Sequence, residues 1–243
     1  MKELGYENFK RSAGLIYNNY YYDGIKFHED YEEKLFDFWV NLHRFIPKRL
    51  LDQFCEPEEG NPISVVFNGR NVTFDLGMSL YEYWLLSEYI DFSNLKTIHE
   101  IGAGYGRTAY VISKLHPEIK YRIFDIEPSL GITKRYLSGL LPSSNLEFDT
   151  PENLSGECDL LLGIDCFHEM TKEAVDSYFD YSEKSSKYLY FSAWKETDGP
   201  MDGIKWKMGS YPVRESWRGL FSRTHGLRAG FFEALYQLRG NNE

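Results

Sequence analysis

The stretch Leu95-Lys96-Thr97-Ile98-His99-Glu100-Ile101-Gly102-Ala103-Gly104-Tyr105-Gly106-Arg107 decides the fold of this chain. A short apolar run ends in a carboxylate, three glycines follow at alternate positions, and residues 108–115 have the pattern of a helix. A strand, a glycine turn and a helix start form the α/β crevice that holds nucleotide-like cofactors. Glycine lets the backbone turn tightly beside a ligand, and the helix N-terminus offers unpaired N–H groups to negative charge. The stretch therefore predicts an α/β fold with a cofactor site at this turn.

The spacing of the glycines separates two classes of cofactor. A dinucleotide fingerprint requires G-x-G-x-x-G, but the last glycine, counted from Gly102, falls on Arg107. The pattern acidic-x-G-x-G-x-G is filled without a gap by Glu100, Gly102, Gly104 and Gly106. It resembles motif I of class I methyltransferases that depend on S-adenosylmethionine (SAM), where the acid lies near the methionine end of the cofactor. We therefore expect SAM as the cofactor.

Length, charge and cysteine content bound the class of protein. A chain of 243 residues can form one catalytic domain with appendages and a sizeable core. Its net charge of −10 argues against a general nucleic-acid binder, which needs Lys and Arg to neutralise phosphates. Three cysteines without C-x-x-C spacing indicate neither a disulfide framework nor a zinc site. With no apolar leader region and no run of about 18 apolar residues, we expect a soluble, cytoplasmic protein without a membrane partner.

Residues 1–95 are expected to cover the mouth of the crevice, as an N-terminal helical arm and a β-hairpin. Apolar residues recur at helical spacing over 31–45, and Pro47 bends or ends that helix. Asn68-Gly69 between two apolar runs predicts a hairpin over 63–75, and helical spacing returns over 79–90. The tyrosine-rich residues 17–22 either line a substrate mouth or pack an arm.

Residues 96–243 are expected to form the catalytic domain. After the glycine turn, apolar runs over 121–124, 146–148, 158–164 and 187–192 alternate with helical patterns over 130–141 and 171–181. A closing strand is expected over 231–238. Alternation of strands and helices predicts a parallel sheet with helices on its faces.

Polar side chains follow the predicted strands at the edge where ligands bind such sheets. Asp125 is expected to accept the ribose hydroxyls, and Asp149 to contact the adenine amine. His168 is our candidate general base, since imidazole can be neutral at working pH. Glu169 would orient it or be the base itself. The expected cofactor contacts are Glu100, Gly102, Gly104, Gly106, Arg107, Asp125, Asp149 and Asp165.

Asp165 is a third catalytic candidate, placed either on the cofactor or at a metal. Asp165 and Glu169 would supply oxygen ligands suited to Mg²⁺. We do not favour this divalent metal site.

The segment 205–239 reverses the charge of the chain, with seven basic residues and only two acidic ones. One interpretation is an electropositive rim for an anionic substrate such as a nucleotide sugar. The other is a solvated face that balances the acidic arm.

Together these motifs resemble the sugar O-methyltransferase family over most of residues 56–239. The residues that carry the resemblance are the motif Glu100 to Arg107, Tyr121-Arg-Ile-Phe-Asp-Ile-Glu-Pro with Tyr136-Leu137, His168-Glu169-Met170 ahead of Tyr178-Phe179, Gly60-Asn61-Pro62, and Leu80-Tyr81-Glu82-Tyr83. The resemblance implies a Rossmann-like class I methyltransferase with a mostly parallel seven-stranded sheet. It also implies methylation of a sugar hydroxyl in the biosynthesis of bacterial glycans or glycosylated natural products. The expected partner is a small-molecule sugar or nucleotide sugar, and the chain is compatible with a homo-oligomer.

Three other functions remain open at this point. The chain could methylate a nitrogen or carbon of another small molecule. It could be a SAM-binding subunit without catalysis, against which the intact loop and His168-Glu169 argue. A nicotinamide oxidoreductase is disfavoured by Arg107.

Overall fold

The N-terminal cover leads into the central sheet in the computed structural model, which describes residues 6–10 and 31–238. Its elements are α1 (Tyr31–Leu42), α2 (Lys48–Leu51), β1 (Val65–Phe67), β2 (Arg70–Val72) and α3 (Phe74–Ser87). The hairpin is confirmed, with Asn68 and Gly69 at its turn. The predicted tyrosine-rich cluster at 17–22 lies outside the described residues.

The helix expected over 79–90 begins earlier, at Phe74. Thr73 accounts for the difference, since its side-chain oxygen accepts the Leu76 N–H at 3.0 Å and caps the helix. The expected second strand of the hairpin therefore ends at Val72.

A seven-stranded sheet follows. The elements are β3 (Thr97–Ile101), α4 (Arg107–Leu115), β4 (Lys120–Phe124), α5 (Ser129–Leu140), β5 (Leu146–Asp149), β6 (Cys158–Ile164), α6 (Lys172–Ser185), β7 (Ser186–Trp194), β8 (Glu196–Asp198), β9 (Lys205–Lys207), β10 (Arg218–Thr224) and β11 (Phe231–Gln237). The spatial order is β10-β11-β7-β6-β3-β4-β5. Strands β3 to β7 are mutually parallel, and β11 runs antiparallel between β7 and β10. The predicted mostly parallel α/β sheet is confirmed.

Alternate residues of the strands point into two apolar clusters, one on each face of the sheet. On β6, Leu160 and Leu162 belong to one cluster and Leu161 to the other. The first cluster also contains apolar side chains of α3, α4, α5 and the cover, so the cover and the sheet share one buried core. The second contains side chains of α6 and of the segment that follows β9.

Two features of the C-terminal part were not predicted. The strands β8 and β9 form a small antiparallel hairpin, and β10 forms the edge of the main sheet. The β10 sequence Arg-Gly-Leu-Phe-Ser-Arg-Thr has mostly exposed side chains and no apolar alternation. An edge strand buries little on either face, so hydrophobic patterning does not reveal it.

Candidate active site

Two of the three glycines in the loop after β3 allow close packing. Gly102 has φ +67°, and a Cβ there would lie 2.6 Å from Cys166 Cβ. Gly106 has φ +88° and caps α4, and a Cβ there would lie 2.8 Å from Leu137 Cδ1. The loop therefore lies directly against the segment that follows β6 and against α5.

Gly104, the middle glycine, has a different environment. It has φ +64°, yet a Cβ at this position would meet no atom within 4 Å. The backbone at Gly104 is therefore open to solvent or to a ligand at the carboxyl end of β3, ahead of the N-terminus of α4. This is the place at which the sequence pattern predicts a cofactor.

Two acids flank this loop. Glu100 is buried and accepts a hydrogen bond from the Tyr121 hydroxyl at 2.8 Å. Burial raises the pKa of Glu100 to about 7, against that hydrogen bond and the charge of Arg107. Asp125 follows β4, and its carboxylate accepts the Gly104 N–H at 2.8 Å and the Ile126 N–H at 2.7 Å.

Asp125 remains able to bind a ligand. Burial raises its pKa, opposed by the two backbone N–H donors. Each carboxylate oxygen has more than one acceptor site, so ribose hydroxyls could still be bound there.

Asp149 lies beside Asp125 at the end of β5, and it accepts hydrogen bonds from the Asn153 side chain at 2.7 Å and the Thr150 N–H at 2.8 Å. These hydrogen bonds lower the pKa of Asp149.

The segment 165–170 after β6 adjoins the glycine loop. The Cys166 thiol donates to the Ile101 carbonyl at 3.1 Å, and Met170 approaches the Gly102 backbone. His168 is 5% exposed, and its Nδ1 is buried without a hydrogen-bond partner among the described residues. Its Nε2 lies 3.9 Å from Glu169 Oε1, and the Glu169 side chain is exposed.

The buried imidazole of His168 is neutral over the whole neutral pH range. Burial lowers its pKa to about 4, and the nearby Asp165 carboxylate only partly opposes this effect. A neutral imidazole has one nitrogen able to accept a proton. The environment of His168 therefore keeps it in the form that a general base requires.

The structure corrects the expectation for Asp165. Its carboxylate accepts two 2.7 Å hydrogen bonds from the Arg228 guanidinium and one of 3.0 Å from the Ser192 hydroxyl. Arg107 Nη2 lies 3.5 Å away. Burial alone would raise the pKa of Asp165, but the two guanidinium groups outweigh it and lower the pKa. A carboxylate held in this way does not fit a general base.

Asp165 does not fit the proposed Mg²⁺ site either, because its oxygens already neutralise two arginines. Within 6–10 and 31–238, no group of three or more His, Cys, Asp and Glu side chains is arranged to hold a metal ion. The pair Asp165 and Glu169 therefore gives no support to a metal, and we derive no step through one.

Arg107 also differs from expectation, since its side chain points to the cover. It is 8% exposed and donates to both carboxylate oxygens of Glu82 at 2.8 and 2.9 Å. The Thr108 hydroxyl donates to the same carboxylate at 2.7 Å. The guanidinium group thus joins α4 to α3.

Sequence reasoning did not identify the partners of these charges. Glu82 stands in the segment 80–83 that carries the family resemblance, and Arg228 was counted only as one of the basic residues of the tail. Arg107 stands at a position where a dinucleotide-binding loop has glycine. This arginine was the available signal that an acid is buried nearby. Nothing in the sequence pointed to Glu82 as that acid.

The basic segment 205–239 is largely paired in the structure. Arg228 binds Asp165, Arg223 binds the fully buried Glu233 at 2.9 Å, and Arg214 pairs with Asp180. Lys205 and Lys207 lie 3.7 and 3.8 Å from Glu196. These pairs argue against an electropositive rim in the described part of the segment; Arg239 lies outside it.

In the described part of the chain, no helix has the length and apolarity needed to cross a bilayer.

Comparison with known proteins finds similarity in fold only. No protein-family model matches the chain, and no curated protein matches it. The mitomycin 7-O-methyltransferase MmcR is 15% identical and aligns with 82% of this chain and 60% of its own, with a TM-score of 0.51. An O-methyltransferase family protein from Burkholderia thailandensis is 13% identical over 70% of this chain and 59% of that one, with a TM-score of 0.50. The PH0226 protein from Pyrococcus horikoshii OT3 is 13% identical over 67% of this chain and 89% of that one, with a TM-score of 0.50.

These identities and TM-scores are evidence for the fold of the chain alone. The chain spans 60% of the length of MmcR, and identities of this size establish a shared architecture and not a shared substrate. The chain has the Rossmann-like α/β fold found in O-methyltransferases.

Proposed function

We propose that this chain is a SAM-dependent O-methyltransferase that acts on a hydroxyl of a sugar or a glycosylated small molecule, with His168 as general base. The observation that carries the proposal is the contact between two segments. The glycine loop with its open Gly104 lies against the 165–170 segment that holds a buried, neutral His168.

The residues that would hold SAM are those around the open loop. The backbone of 102–106 offers N–H groups and space, Asp125 offers carboxylate oxygens to the ribose, and Asp149 lies beside it at the next strand end. Glu100, with a pKa near neutrality, would gain charge beside a cationic ligand, since positive charge lowers the pKa of a carboxyl. When bound, SAM would supply a methyl group on a sulfonium sulfur, which leaves as a neutral thioether when the methyl group is transferred.

The task left to the protein is to hold the acceptor hydroxyl in line and to remove its proton. Correct placement of the reacting atoms contributes a large part of such a rate. His168 would accept the hydroxyl proton as the new O–C bond forms. Because its pKa of about 4 makes it a weaker base than free histidine, we expect a contribution near the lower end of the usual 10²–10⁴-fold for general base catalysis.

The choice of a sugar acceptor is supported by the family resemblance of the motifs between Glu100 and Phe179, and the choice of oxygen by the fold shared with O-methyltransferases. The Asp165 carboxylate is bound by Arg228, which supports a reaction in which Asp165 does not ligate a metal ion beside the base. A small-molecule acceptor also agrees with the acidic net charge of −10, which disfavours nucleic acid.

The test is a methyl-transfer screen with radiolabelled SAM over nucleotide sugars, free sugars and glycosylated metabolites, with and without EDTA. We expect label in an O-methyl ether of one acceptor class, at a rate that EDTA does not change. Label on nitrogen or carbon would favour the other methyltransferases. Tight SAM binding without transfer to any acceptor would favour a non-catalytic subunit.

A further inference from the structure

The turn between β10 and β11 and the first residue of β11 contact two residues of the 165–170 segment. Arg228, in this turn, binds Asp165 at the start of the segment, and Phe231, at the start of β11, packs edge-on against the His168 ring at 6.2 Å. The turn is itself closed by hydrogen bonds from the His225 N–H to the Phe231 carbonyl and from the Phe231 N–H to the Arg228 carbonyl, both 2.9 Å.

The hydrogen bonds to Asp165 stabilise a residue whose backbone conformation is unfavourable. It is a non-glycine residue with φ +57°, a left-handed conformation that L-residues adopt only at a cost. Its N–H donates to the Ser192 carbonyl at 2.9 Å, so β7 holds its backbone while Arg228 and Ser192 hold its carboxylate. The direction in which the chain leaves β6 towards His168 is set at this residue.

Arg228 combines two interactions that a lysine cannot reproduce together. Its planar guanidinium binds both oxygens of Asp165 and lies 3.8 Å from the centre of the Phe231 ring. Arginine offers this fixed fork and a flat stacking surface, whereas lysine offers a flexible point charge. The Phe231 ring also packs on Trp194 at 4.2 Å, so it cannot easily follow a displaced Arg228.

We propose that Arg228 is a positioning residue which, through Asp165 on one side and Phe231 on the other, fixes the 165–168 segment and the orientation of the His168 ring. It acts through these residues and does not itself touch the reacting atoms. The consequence for catalysis rests on the proposed function, but the positioning of His168 can be measured without any acceptor.

The experiment is to follow the His168 ring signal by NMR in protein labelled with ¹³C-histidine, with the signal assigned by its loss in H168Q. The variants are R228K and, as a matched control, R214K, which alters an arginine paired with Asp180 and Glu183 on α6. R228K keeps the positive charge near His168, so its direct electrostatic effect on the ring is small. Titration with S-adenosylhomocysteine (SAH) is run on the same samples.

In R228K we expect the His168 signal to shift and broaden and its pKa to rise by about one unit from about 4 toward the ordinary histidine value, because the segment opens to water. In R214K the signal and the pKa should match the unmodified chain. SAH affinity should stay within about twofold in both variants. Once an acceptor is known, kcat of R228K should fall with little change in KM for SAM.

An unchanged His168 signal and pKa in folded R228K would overturn the proposal, even if its melting temperature were lower, because a purely structural role predicts only the latter. Should R228K fail to fold, S192A removes one donor to Asp165 and should move the same signal in the same direction by less. No SAH binding by the unmodified chain would instead reject the proposed cofactor and leave the positioning of His168 to be judged by the NMR result alone.

Discussion

Two neighbouring side chains in one loop have opposite electrostatic environments. His168 and Asp165 are both buried, but the two guanidinium groups beside Asp165 stabilise its charge, whereas His168 lacks a comparable partner for an imidazolium. Desolvation therefore decides the form of the histidine, and ion pairing decides that of the aspartate. One is left as a neutral acceptor and the other as a fixed anion, which assigns different roles to them.

We predict that H168A keeps its affinity for SAH but loses at least about tenfold in turnover, because the hydroxyl proton has no acceptor in place. The matched control is H43A, which removes a histidine that stacks on Phe67 in the cover. It should transfer methyl groups as fast as the unmodified chain. The measurement is initial rate with the acceptor found in the screen, and equal rates for H168A and H43A would dismiss His168 as the base.

Sequence spacing identified the residues whose role depends on local backbone geometry. The positive φ values of Gly102, Gly104 and Gly106 are required by the turn itself, so the pattern is visible in the sequence. The ion pair of Arg107 with Glu82 joins residues far apart in the sequence, and the residues of the pair Asp165 and Arg228 are separated by a still longer stretch of chain. Such pairs depend on how elements pack, which spacing does not encode.

At the scale of elements, α3 and α4 are joined by charge as well as by apolar packing. Glu82 on α3 is fully buried and receives three hydrogen bonds, two from Arg107 and one from Thr108. On the same side of the sheet, the Tyr81 hydroxyl of α3 donates to Glu233 on β11 at 2.8 Å. The cover helix is thus fixed to both the start of α4 and the reversed strand.

We predict that E82Q lowers the free energy of unfolding by about 3–5 kcal/mol, the usual cost of removing one partner from a buried ion pair. The matched control is E147Q, whose carboxylate pairs with Lys120 at 2.7 Å but is 46% exposed. Exposed pairs contribute about 0–1 kcal/mol, so this variant should be nearly as stable as the unmodified chain. Urea denaturation measures both, and similar losses in the two variants would contradict the account of the α3–α4 joint.

Uniform burial made the bounds of one element predictable and concealed the start of another. The strand β6 matches the predicted range 158–164 because all seven of its residues are buried and all but Asp159 and Gly163 are apolar. The start of helix α3 was misplaced because residues 74–82 are all buried, polar and apolar alike, so hydrophobic periodicity marks no boundary there. The cap at Thr73, which sets the true start, was overlooked within the predicted strand.

At the scale of the whole molecule, the role of the charged residues could not be inferred from composition. The acidic balance of the chain and the basic C-terminal segment are compatible with either a rim for an anionic ligand or internal pairing. The structure places most of these charges in ion pairs, between neighbouring strands for Arg223 with Glu233 and between separate elements for Arg214 with Asp180.

The central claim, that the loop after β3 holds SAM, is tested most directly by calorimetric titration of the unmodified chain, G104A and G69A with SAH and with NADH. Gly104 and Gly69 both have positive φ and open space at a Cβ position, so both alanine variants carry a similar backbone cost of roughly 1–2 kcal/mol. We predict saturable SAH binding by the unmodified chain and by G69A, a loss of at least about tenfold in affinity for G104A, and no preference for NADH. Equal SAH affinity in G104A and G69A, or preferential binding of NADH, would contradict the account.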